Sequence, residues 1–266
     1  MKDFNYYANL MKKYQTPKIE KDIGEILKIK RKFPVIFDIG SNIGSFTKEL
    51  SKSIDYDQFH LFEPCTQICN YSKQNLESIR GIVINNKGIS NKNEDKILYK
   101  CPQLNKKIRT VGVLEVGGKD VLKVRGCGGE SNIGWNTMFT GGDLGQKYTD
   151  KSSGIHGFYK YMDKENVSCI TIDDYVKINK LSSVDLIKID VEGYEGPVLE
   201  GALKSIEMFK PILFVEISWG KEHPQWRTNK LIYEKILNMG YKTVNCNDLL
   251  NEGFSGDVIF QYIPSS

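Results

Sequence analysis

An apolar segment leads directly into a glycine turn and the start of a helix at residues 35–47, which read VIFDIGSNIGSFT. Its first three residues predict a short, buried strand of a parallel sheet, with Asp38 at the carboxyl end. Gly40 and Gly44 then allow the backbone to pass close to a ligand, because glycine has no Cβ atom. A helix is expected to begin near Ser45. This arrangement is typical of proteins that hold a cofactor carrying a nucleotide.

The spacing of the glycines distinguishes two kinds of cofactor. A dinucleotide site has the pattern G-x-G-x-x-G, which brings helix N–H groups close to a pyrophosphate. Here Asn42 replaces the second glycine and Ser45 replaces the third. Residues 38–44 instead read D-x-G-x-N-x-G, a common form of the turn that binds S-adenosylmethionine. The turn therefore favours S-adenosylmethionine over NAD, although a nicotinamide-dependent oxidoreductase would share the same strand, turn and helix.

A second apolar strand, FHLFEP at residues 59–64, ends in Glu63. This acid follows the glycine turn by about 20 residues, the separation at which a carboxylate commonly binds a ribose. We therefore expect Glu63 to accept hydrogen bonds from both ribose hydroxyls. The alternative is a surface glutamate that caps the loop before Pro64. Because NAD and S-adenosylmethionine both carry an adenosine ribose, Glu63 does not distinguish between them.

A third buried strand, at residues 186–189, leads into the charged and glycine-containing segment DVEGYEG. Asp190 and Glu192 then lie at the carboxyl edge of the predicted sheet, where open α/β sheets bind their ligands. The alternative is that they cap a helix starting near Gly196. For Glu192 the two interpretations stay open, whereas for Asp190 we favour the site.

These segments together resemble the FkbM family of S-adenosylmethionine-dependent methyltransferases, and the resemblance covers roughly residues 33–262. It implies an α/β, Rossmann-like class I methyltransferase fold, with a seven-stranded, mostly parallel sheet and an antiparallel edge hairpin. It also implies S-adenosyl-L-methionine as cofactor and transfer of a methyl group to a hydroxyl, often of a sugar. The segments that carry the resemblance are VIFDIGSNIGSFT, HLFEP, ITIDDYV, LIKIDVEGYEGPVLEGA and PILFVEI.

The resemblance also assigns residues to the cofactor. It implies that the glycine turn lies under the cofactor and that Glu63 binds its ribose. The cofactor-binding residues that we expect are Asp38, Gly40, Ser41, Asn42, Gly44, Glu63 and Pro64.

An acceptor hydroxyl must lose a proton during methyl transfer, and a nearby carboxylate or histidine can take it. Asp190 is the first candidate, because it ends the strand expected to face the sulfonium. Glu192 and His223 are the further candidates, the latter in a loop that follows the predicted strand at residues 212–216. Oxygens of Asp190, Glu192 and Glu216 would also suit Mg²⁺, but we expect no metal.

The chain is long enough for one catalytic domain. We expect a helical extension at residues 1–32, a methyltransferase domain at 33–266, and within it a glycine-rich insertion at 96–168 that binds the acceptor. VGVLEVGGKDVLKV in this insertion has the pattern of a β-hairpin. Aromatic side chains there would suit a sugar or a base, although they are more often packing residues: Trp135, Phe139, His156, Phe158, Tyr159 and Tyr161.

A net charge of +4 is too small for a protein that mainly coats nucleic acid. Basic residues outnumber acidic ones between positions 87 and 125, which indicates a solvated face or an anionic acceptor. The six cysteines form no C-x-x-C pair, and no signal peptide or membrane span is evident. We therefore expect a cytoplasmic enzyme with a small-molecule or glycan acceptor and no membrane contact; the sequence leaves its oligomeric state open.

Three other functions remain open. An RNA cap or nucleoside 2′-O-methyltransferase would use a catalytic lysine, and Lys188 shares a strand face with Asp190 but lies deeper in the strand. A nicotinamide-dependent oxidoreductase is disfavoured by Asn42 and Ser45. A non-catalytic binding protein would keep the fold and lose cofactor contacts, yet Gly40, Gly44 and Glu63 are all present.

Overall fold

The computed structural model describes residues 4–5, 8–9, 16–100, 115–116, 119–120, 163–217, 226–251, 254 and 256–264. Its strands are β1 (Val35–Ile39), β2 (Gln58–Phe62), β3 (Ile82–Asn85), β4 (Gly88–Ile89), β5 (Glu94–Lys100), β6 (Glu115–Val116), β7 (Lys119–Asp120), β8 (Asp163–Ile170), β9 (Leu186–Ile189), β10 (Ile212–Ile217), β11 (Tyr241–Thr243) and β12 (Gly256–Tyr262). Its helices are α1 (Thr16–Ile29), α2 (Ser45–Leu50), α3 (Thr66–Asn75), α4 (Ile172–Ile178), α5 (Glu195–Glu200), α6 (Leu203–Phe209) and α7 (Trp226–Asn238).

Seven of these strands form the main sheet, in the order β11-β12-β10-β9-β1-β2-β3. The five strands from β10 to β3 run parallel, whereas β12 is antiparallel to both β10 and β11. This confirms the expected α/β fold with a mostly parallel sheet and an antiparallel edge pair. The carboxyl ends of β1, β2, β9 and β10 consequently meet at one edge of the sheet.

Side chains alternate in direction along each strand, so apolar strands carry apolar side chains on both faces of the sheet. Helices cover both of these faces. Phe37 and Ile39 of β1 belong to the larger core, together with residues of α4 to α7, whereas Ile36 belongs to the second core. Helices α1 and α2 cover that second face with Ile19, Ile23, Ile26, Phe46 and Leu50.

Helix α1 lies within the N-terminal segment that was predicted to be helical. Ile23 and Ile26 are buried, and Leu27 and Ile29 pack against the same core from partly buried positions. The helix begins at Thr16 and keeps Pro17 in its first turn, where a missing N–H breaks no helical hydrogen bond. Its 14 residues run for about 21 Å, enough to cross the sheet from one edge to the other.

A second sheet, which the sequence patterns did not predict, has the order β4-β8-β5. Strands β5 and β8 pair antiparallel from Glu94↔Cys169 to Lys100↔Asp163, so both ends of the expected insertion are strands and not loops. Their sequences, EDKILYK and DKENVSCI, are rich in charge, and among their side chains that the structure describes only Leu98, Val167 and Cys169 are buried, which hides the strand signal.

The expected hairpin within the insertion is present, with Glu115 opposite Asp120 and Val116 opposite Lys119. The aromatic side chains proposed for the acceptor, from Trp135 to Tyr161, lie outside the described residues. None of the helices in the described ranges is long and apolar enough to cross a membrane.

Candidate functional site

The glycine turn after β1 is folded tightly against the end of β9. Gly40 has a φ of 70°, a backbone conformation that favours glycine. A Cβ atom at Gly40 would lie only 1.9 Å from the carbonyl oxygen of Asp190, so no other residue fits there without movement. The N–H groups of Gly40 and Ser41 both donate to the carbonyl of Phe62 at the end of β2. The ends of three strands are thereby joined around this turn.

Glu63 is buried beside the turn, and backbone N–H groups hold both of its carboxylate oxygens. Asn42 donates to Oε2 at 3.1 Å and Cys65 donates to Oε1 at 2.8 Å. Burial raises the pKa of Glu63 to about 7, although these two donors favour the charged form. Each oxygen of a carboxylate can accept a further hydrogen bond. Glu63 therefore keeps acceptor capacity for ribose hydroxyls, and its role as their ligand stays a prediction.

The remaining residues predicted to bind the cofactor surround the same turn. Ser41 is buried, and its Oγ atom has no hydrogen-bond partner among the described residues. Gly44 has a φ of 79° and begins α2, with Leu76 so close that a Cβ would lie 2.5 Å from its side chain. The carbonyl of Pro64 accepts from the side chain of Asn86 at 2.9 Å. A buried hydroxyl without a partner and a turn that excludes Cβ atoms both fit a polar ligand held close to the backbone.

Lys188 connects the glycine turn to the carboxyl end of β9, a contact that the sequence did not reveal. Its buried ammonium lies 3.1 Å from Asp38 Oδ1, 3.1 Å from the carbonyl oxygen of Gly40 and 3.5 Å from Asp190 Oδ2. Burial alone would lower the pKa of Lys188, but the carboxylates of Asp38 and Asp190 outweigh it and raise the pKa. The signal for a buried contact was available, since a lysine in the apolar strand LIKI needs a buried partner.

Asp38 is fully buried and has no contact with solvent. Besides Lys188, its Oδ2 atom accepts from Thr47 Oγ1 of α2 at 2.7 Å. Asp38 therefore fixes the turn from below, by joining β1, β9 and α2. Direct contact between Asp38 and the cofactor stays a prediction.

Three carboxylates gather at the carboxyl edge of the sheet. One oxygen from each of Asp190, Glu192 and Glu216 lies within 4.8 Å of the others, close enough to share a proton or a divalent cation. Asp190 lies after β9 and Glu216 lies in β10, so the parallel pairing of these strands brings them together. Sequence reasoning considered Glu216 only as a metal ligand.

The charges of this cluster divide unequally. Three effects raise the pKa of Glu216 to about 10. The largest is the negative charge of Asp190, and burial and the hydrogen bond to Asp190 follow. Burial would also raise the pKa of Asp190, but the ammonium of Lys188 and the hydrogen bond from Glu216 keep it below its usual value. Within this pair the proton is therefore favoured on Glu216 and the negative charge on Asp190.

Glu192 lies on a turn with unusual backbone conformation. It has a φ of 53° and the following Gly193 has a φ of 95°. Burial and the charge of Asp190 raise the pKa of Glu192 well above its usual value. Helix α5 begins after Tyr194, whose side chain makes no capping hydrogen bond, and Glu195 Oε1 accepts from the N–H of Gly193 at 2.8 Å. The capping and the catalytic interpretations of Glu192 both stay predictions.

A buried polar network supports this turn from the core side. Burial raises the pKa of Glu195 to about 7. The Asn229 side-chain amide of α7 lies 3.4 Å from Glu195 Oε2 and 3.5 Å from the carbonyl of Gly193. Both polar groups of the Gly193 peptide are thus held by side chains, which fixes the direction of the turn.

The cluster also receives a lysine from the N-terminal helix. Lys18 Nζ lies 2.6 Å from Glu216 Oε1 and 3.2 Å from Asp257 Oδ2 of β12. Sequence reasoning had no signal for this contact, because 198 residues separate Lys18 from Glu216. His223, the third catalytic candidate, lies outside the described residues.

Several solved methyltransferases are similar to this chain. Methyltransferase FkbM from Methylobacillus flagellatus KT has 13% identity and a TM-score of 0.48, over 88% of this chain and 45% of that one. This chain therefore spans less than half the length of that protein. The O-methyltransferase from Bacillus cereus in complex with SAH has 11% identity and a TM-score of 0.47, over 99% and 92% of the two chains.

A SAM-dependent methyltransferase from Aquifex aeolicus has 13% identity and a TM-score of 0.43, over 98% of each chain. None of the curated proteins matches this chain. The family model of the methyltransferase FkbM domain matches residues 38–243, which include the glycine turn, Glu63, Asp190 and Glu216. Because this match spans most of the chain, the protein belongs to the FkbM methyltransferase family.

Proposed function

We propose that the protein is an S-adenosylmethionine-dependent O-methyltransferase that acts on a hydroxyl of a sugar or glycan-type acceptor, with Asp190 as the base. One observation carries this proposal: the backbone of Asp190 packs against Gly40 of the glycine turn, and the carboxyl group of the same residue has a lowered pKa, which favours its charged form. A base next to the cofactor turn is the arrangement that methyl transfer to a hydroxyl requires.

S-adenosylmethionine is the expected cofactor, because methyl transfer is the family's reaction. When bound, it supplies an activated methyl group on a positively charged sulfur. Glu63 would hold the ribose, and the unpartnered Ser41 Oγ in the turn would take a polar group of the same ligand. The chain's own work is then to orient the cofactor and the acceptor for transfer in line.

The acceptor proton would pass to Asp190. Of the three clustered carboxylates, Asp190 is the one held in its charged form, whereas the pKa values of Glu192 and Glu216 are raised. The hydrogen bond between Glu216 and Asp190 orients the base, and the ammonium of Lys188 compensates its charge. A correctly placed base contributes about 10²–10⁴-fold to such a rate.

A neutral hydroxyl acceptor suits the charge of this edge better than an RNA does. The side chains of Asp190, Glu192 and Glu216 offer several oxygen atoms to a hydroxyl at this edge, and the charged Asp190 would repel a phosphate group. Carboxylates are also common partners of sugar hydroxyls, which donate hydrogen bonds to them. The ammonium groups of Lys18 and Lys188 lie against two of these carboxylates, so we expect transfer without a metal.

The test is an assay of labelled methyl transfer from S-adenosylmethionine to a panel of sugars, nucleotide-sugars and capped RNA, with and without EDTA. Asp190→Asn should lower kcat by about 10²–10⁴-fold and leave the Kd for S-adenosylmethionine nearly unchanged. Preserved turnover in this variant would transfer the role of base to Glu192 or His223. Methylation of RNA alone would contradict the sugar acceptor, and loss of activity in EDTA would contradict metal independence.

A further inference from the structure

We infer that Lys18, which lies outside residues 38–243 matched by the family model, is a positioning residue of the candidate site. It acts through Glu216, whose carboxyl group orients the base Asp190. This inference rests on the proposed function, because it assigns Lys18 a task in the same methyl transfer.

The path of α1 brings this lysine to the site. The helix crosses the second face of the sheet antiparallel to the strands, since Lys30 near its end pairs with Asp185 before β9, whereas Lys18 near its start pairs with Glu216 at the end of β10. Three buried isoleucines hold the helix in that direction, namely Ile19, Ile23 and Ile26. Lys18 is thus presented at the carboxyl edge by a packed helix and not by a free terminus.

The contact restricts the carboxyl group of Glu216. Lys18 holds the Oε1 atom at 2.6 Å, and the carboxyl group of Glu216 is also hydrogen-bonded to the side chain of Asp190. The same ammonium lies 3.2 Å from Asp257, so α1, β10 and β12 are joined at one point. The other ionisable groups near Glu216 are Lys188, Asp190 and Glu192. Asp22 faces Lys18, Asp190 and Asp257.

Without Lys18, the Glu216 side chain loses its second anchor and can turn away from Asp190. Asp190 would then keep its charge partner Lys188 but lose the group that fixes its orientation. Because small displacements of a reacting group reduce rates strongly, the expected effect is on kcat and not on cofactor binding.

The simpler interpretation is an ordinary surface ion pair, since half of the Lys18 side chain is exposed. Such pairs contribute little to stability. The chain offers a matched control directly after the same helix: Lys30 pairs with Asp185 at 2.8 Å and is 42% exposed, but it lies at the opposite edge of the sheet. Both pairs anchor α1, and only the first reaches the candidate site.

The experiment compares Lys18→Met, Lys18→Arg and Lys30→Met in the full chain, using the panel acceptor that the wild type methylates fastest. Lys18→Met should lower kcat by roughly 10- to 100-fold, with a smaller change in the KM for the acceptor and an unchanged Kd for S-adenosylmethionine. Lys18→Arg should restore most of kcat, and Lys30→Met should retain it. The thermal unfolding midpoints of Lys18→Met and Lys30→Met should be similar, which would show that a difference in kcat does not come from a difference in stability.

Equal kcat values for Lys18→Met and Lys30→Met would overturn the inference, as would a Lys18→Arg variant as slow as Lys18→Met. Asp190→Asn, measured in parallel, separates the two proposals. If it is inactive while Lys18→Met is fully active, only the role of Lys18 fails. If it is fully active, Asp190 is not the base and the role of Lys18 fails with it. If the wild type methylates no member of the panel, the proposed function fails as well.

Discussion

The cofactor side and the acceptor side of the candidate site are built from different interactions. On the cofactor side, backbone groups hold the key residues: Glu63 accepts two N–H donors, and the turn at Gly40 donates to the end of β2. On the acceptor side, side chains hold one another, with Glu216 between Asp190 and Lys18. The first arrangement is rigid and local, whereas the second depends on charges brought together by the fold.

The difference shows how each side can be changed. The turn tolerates no added atom at Gly40, because the neighbour there is the main-chain carbonyl of Asp190, which has no alternative rotamer. A cluster of side-chain charges tolerates substitution sterically, but its protonation and orientation respond to every neighbour. We therefore expect steric changes to dominate on the cofactor side and charge changes on the acceptor side.

The largest effect is expected from Gly40→Ala. The added Cβ would meet the Asp190 carbonyl at 1.9 Å, and alanine disfavours a φ of 70°. The Kd for S-adenosylmethionine should rise by roughly 100-fold, or the chain should fail to fold. Isothermal titration combined with circular dichroism distinguishes these two results. A folded variant with wild-type affinity would show that the cofactor does not use this turn.

The next effect concerns Glu195, whose pKa of about 7 in the folded protein exceeds its usual value. The folded state therefore binds this proton more tightly than the unfolded state does, so the stabilising contribution is complete below about pH 4.5 and is lost as the pH rises through 7. As the pH rises from 5 to 8, the difference in free energy of unfolding between Glu195→Gln and the wild type should shift by roughly 1–3 kcal/mol in favour of the variant.

Urea unfolding at a series of pH values measures this difference. Glu63 has a similar pKa and is present in both proteins, so its contribution cancels. Asn229 Oδ1 has no hydrogen-bond partner in the described structure, and rotation of that amide would let it accept from the new glutamine. Parallel curves for the two proteins across this pH range would rule out a raised pKa at Glu195.

A smaller effect is expected from Glu63→Ala. Its loss removes the acceptor proposed for the ribose and leaves the N–H groups of Asn42 and Cys65 without their present partner. The Kd for S-adenosylmethionine should rise about tenfold or more, since a hydrogen bond to a charged group contributes about 1.5–3 kcal/mol. Exposed Glu200→Ala serves as the control for titration calorimetry. Unchanged affinity in Glu63→Ala would reject its role at the ribose.

The smallest effect is expected from Gly24→Ala in α1, and it has the opposite sign. A Cβ at Gly24 would meet no atom within 4 Å, and alanine favours a helix interior more than glycine does. The free energy of unfolding should increase by up to about 1 kcal/mol. Thermal unfolding tests this change, and a destabilised variant would mean that α1 is packed more closely than the structure shows.

The same comparison explains what the sequence could predict. The glycine turn and the strands β1, β2, β9 and β10 were predicted correctly in their placement because each depends on a short segment and its period of hydrophobicity. The contacts of Lys18 and Glu216 were not predictable, because they arise from helix direction and strand order. Lys188 is an intermediate case: a lysine in an apolar strand indicates a buried charge that needs a partner, but the sequence does not show which residues are the partners.

Strands β5 and β8 pair at seven positions, and the segment between them in the chain starts and ends at this paired stem. A segment joined to a domain through one paired stem can be lengthened, shortened or replaced in evolution without moving the sheet. The segment could therefore be exchanged as a unit while the main sheet and the glycine turn remain as they are. The stem also marks where such a unit could be grafted between relatives in the laboratory, with the joins at Glu94 and Ile170.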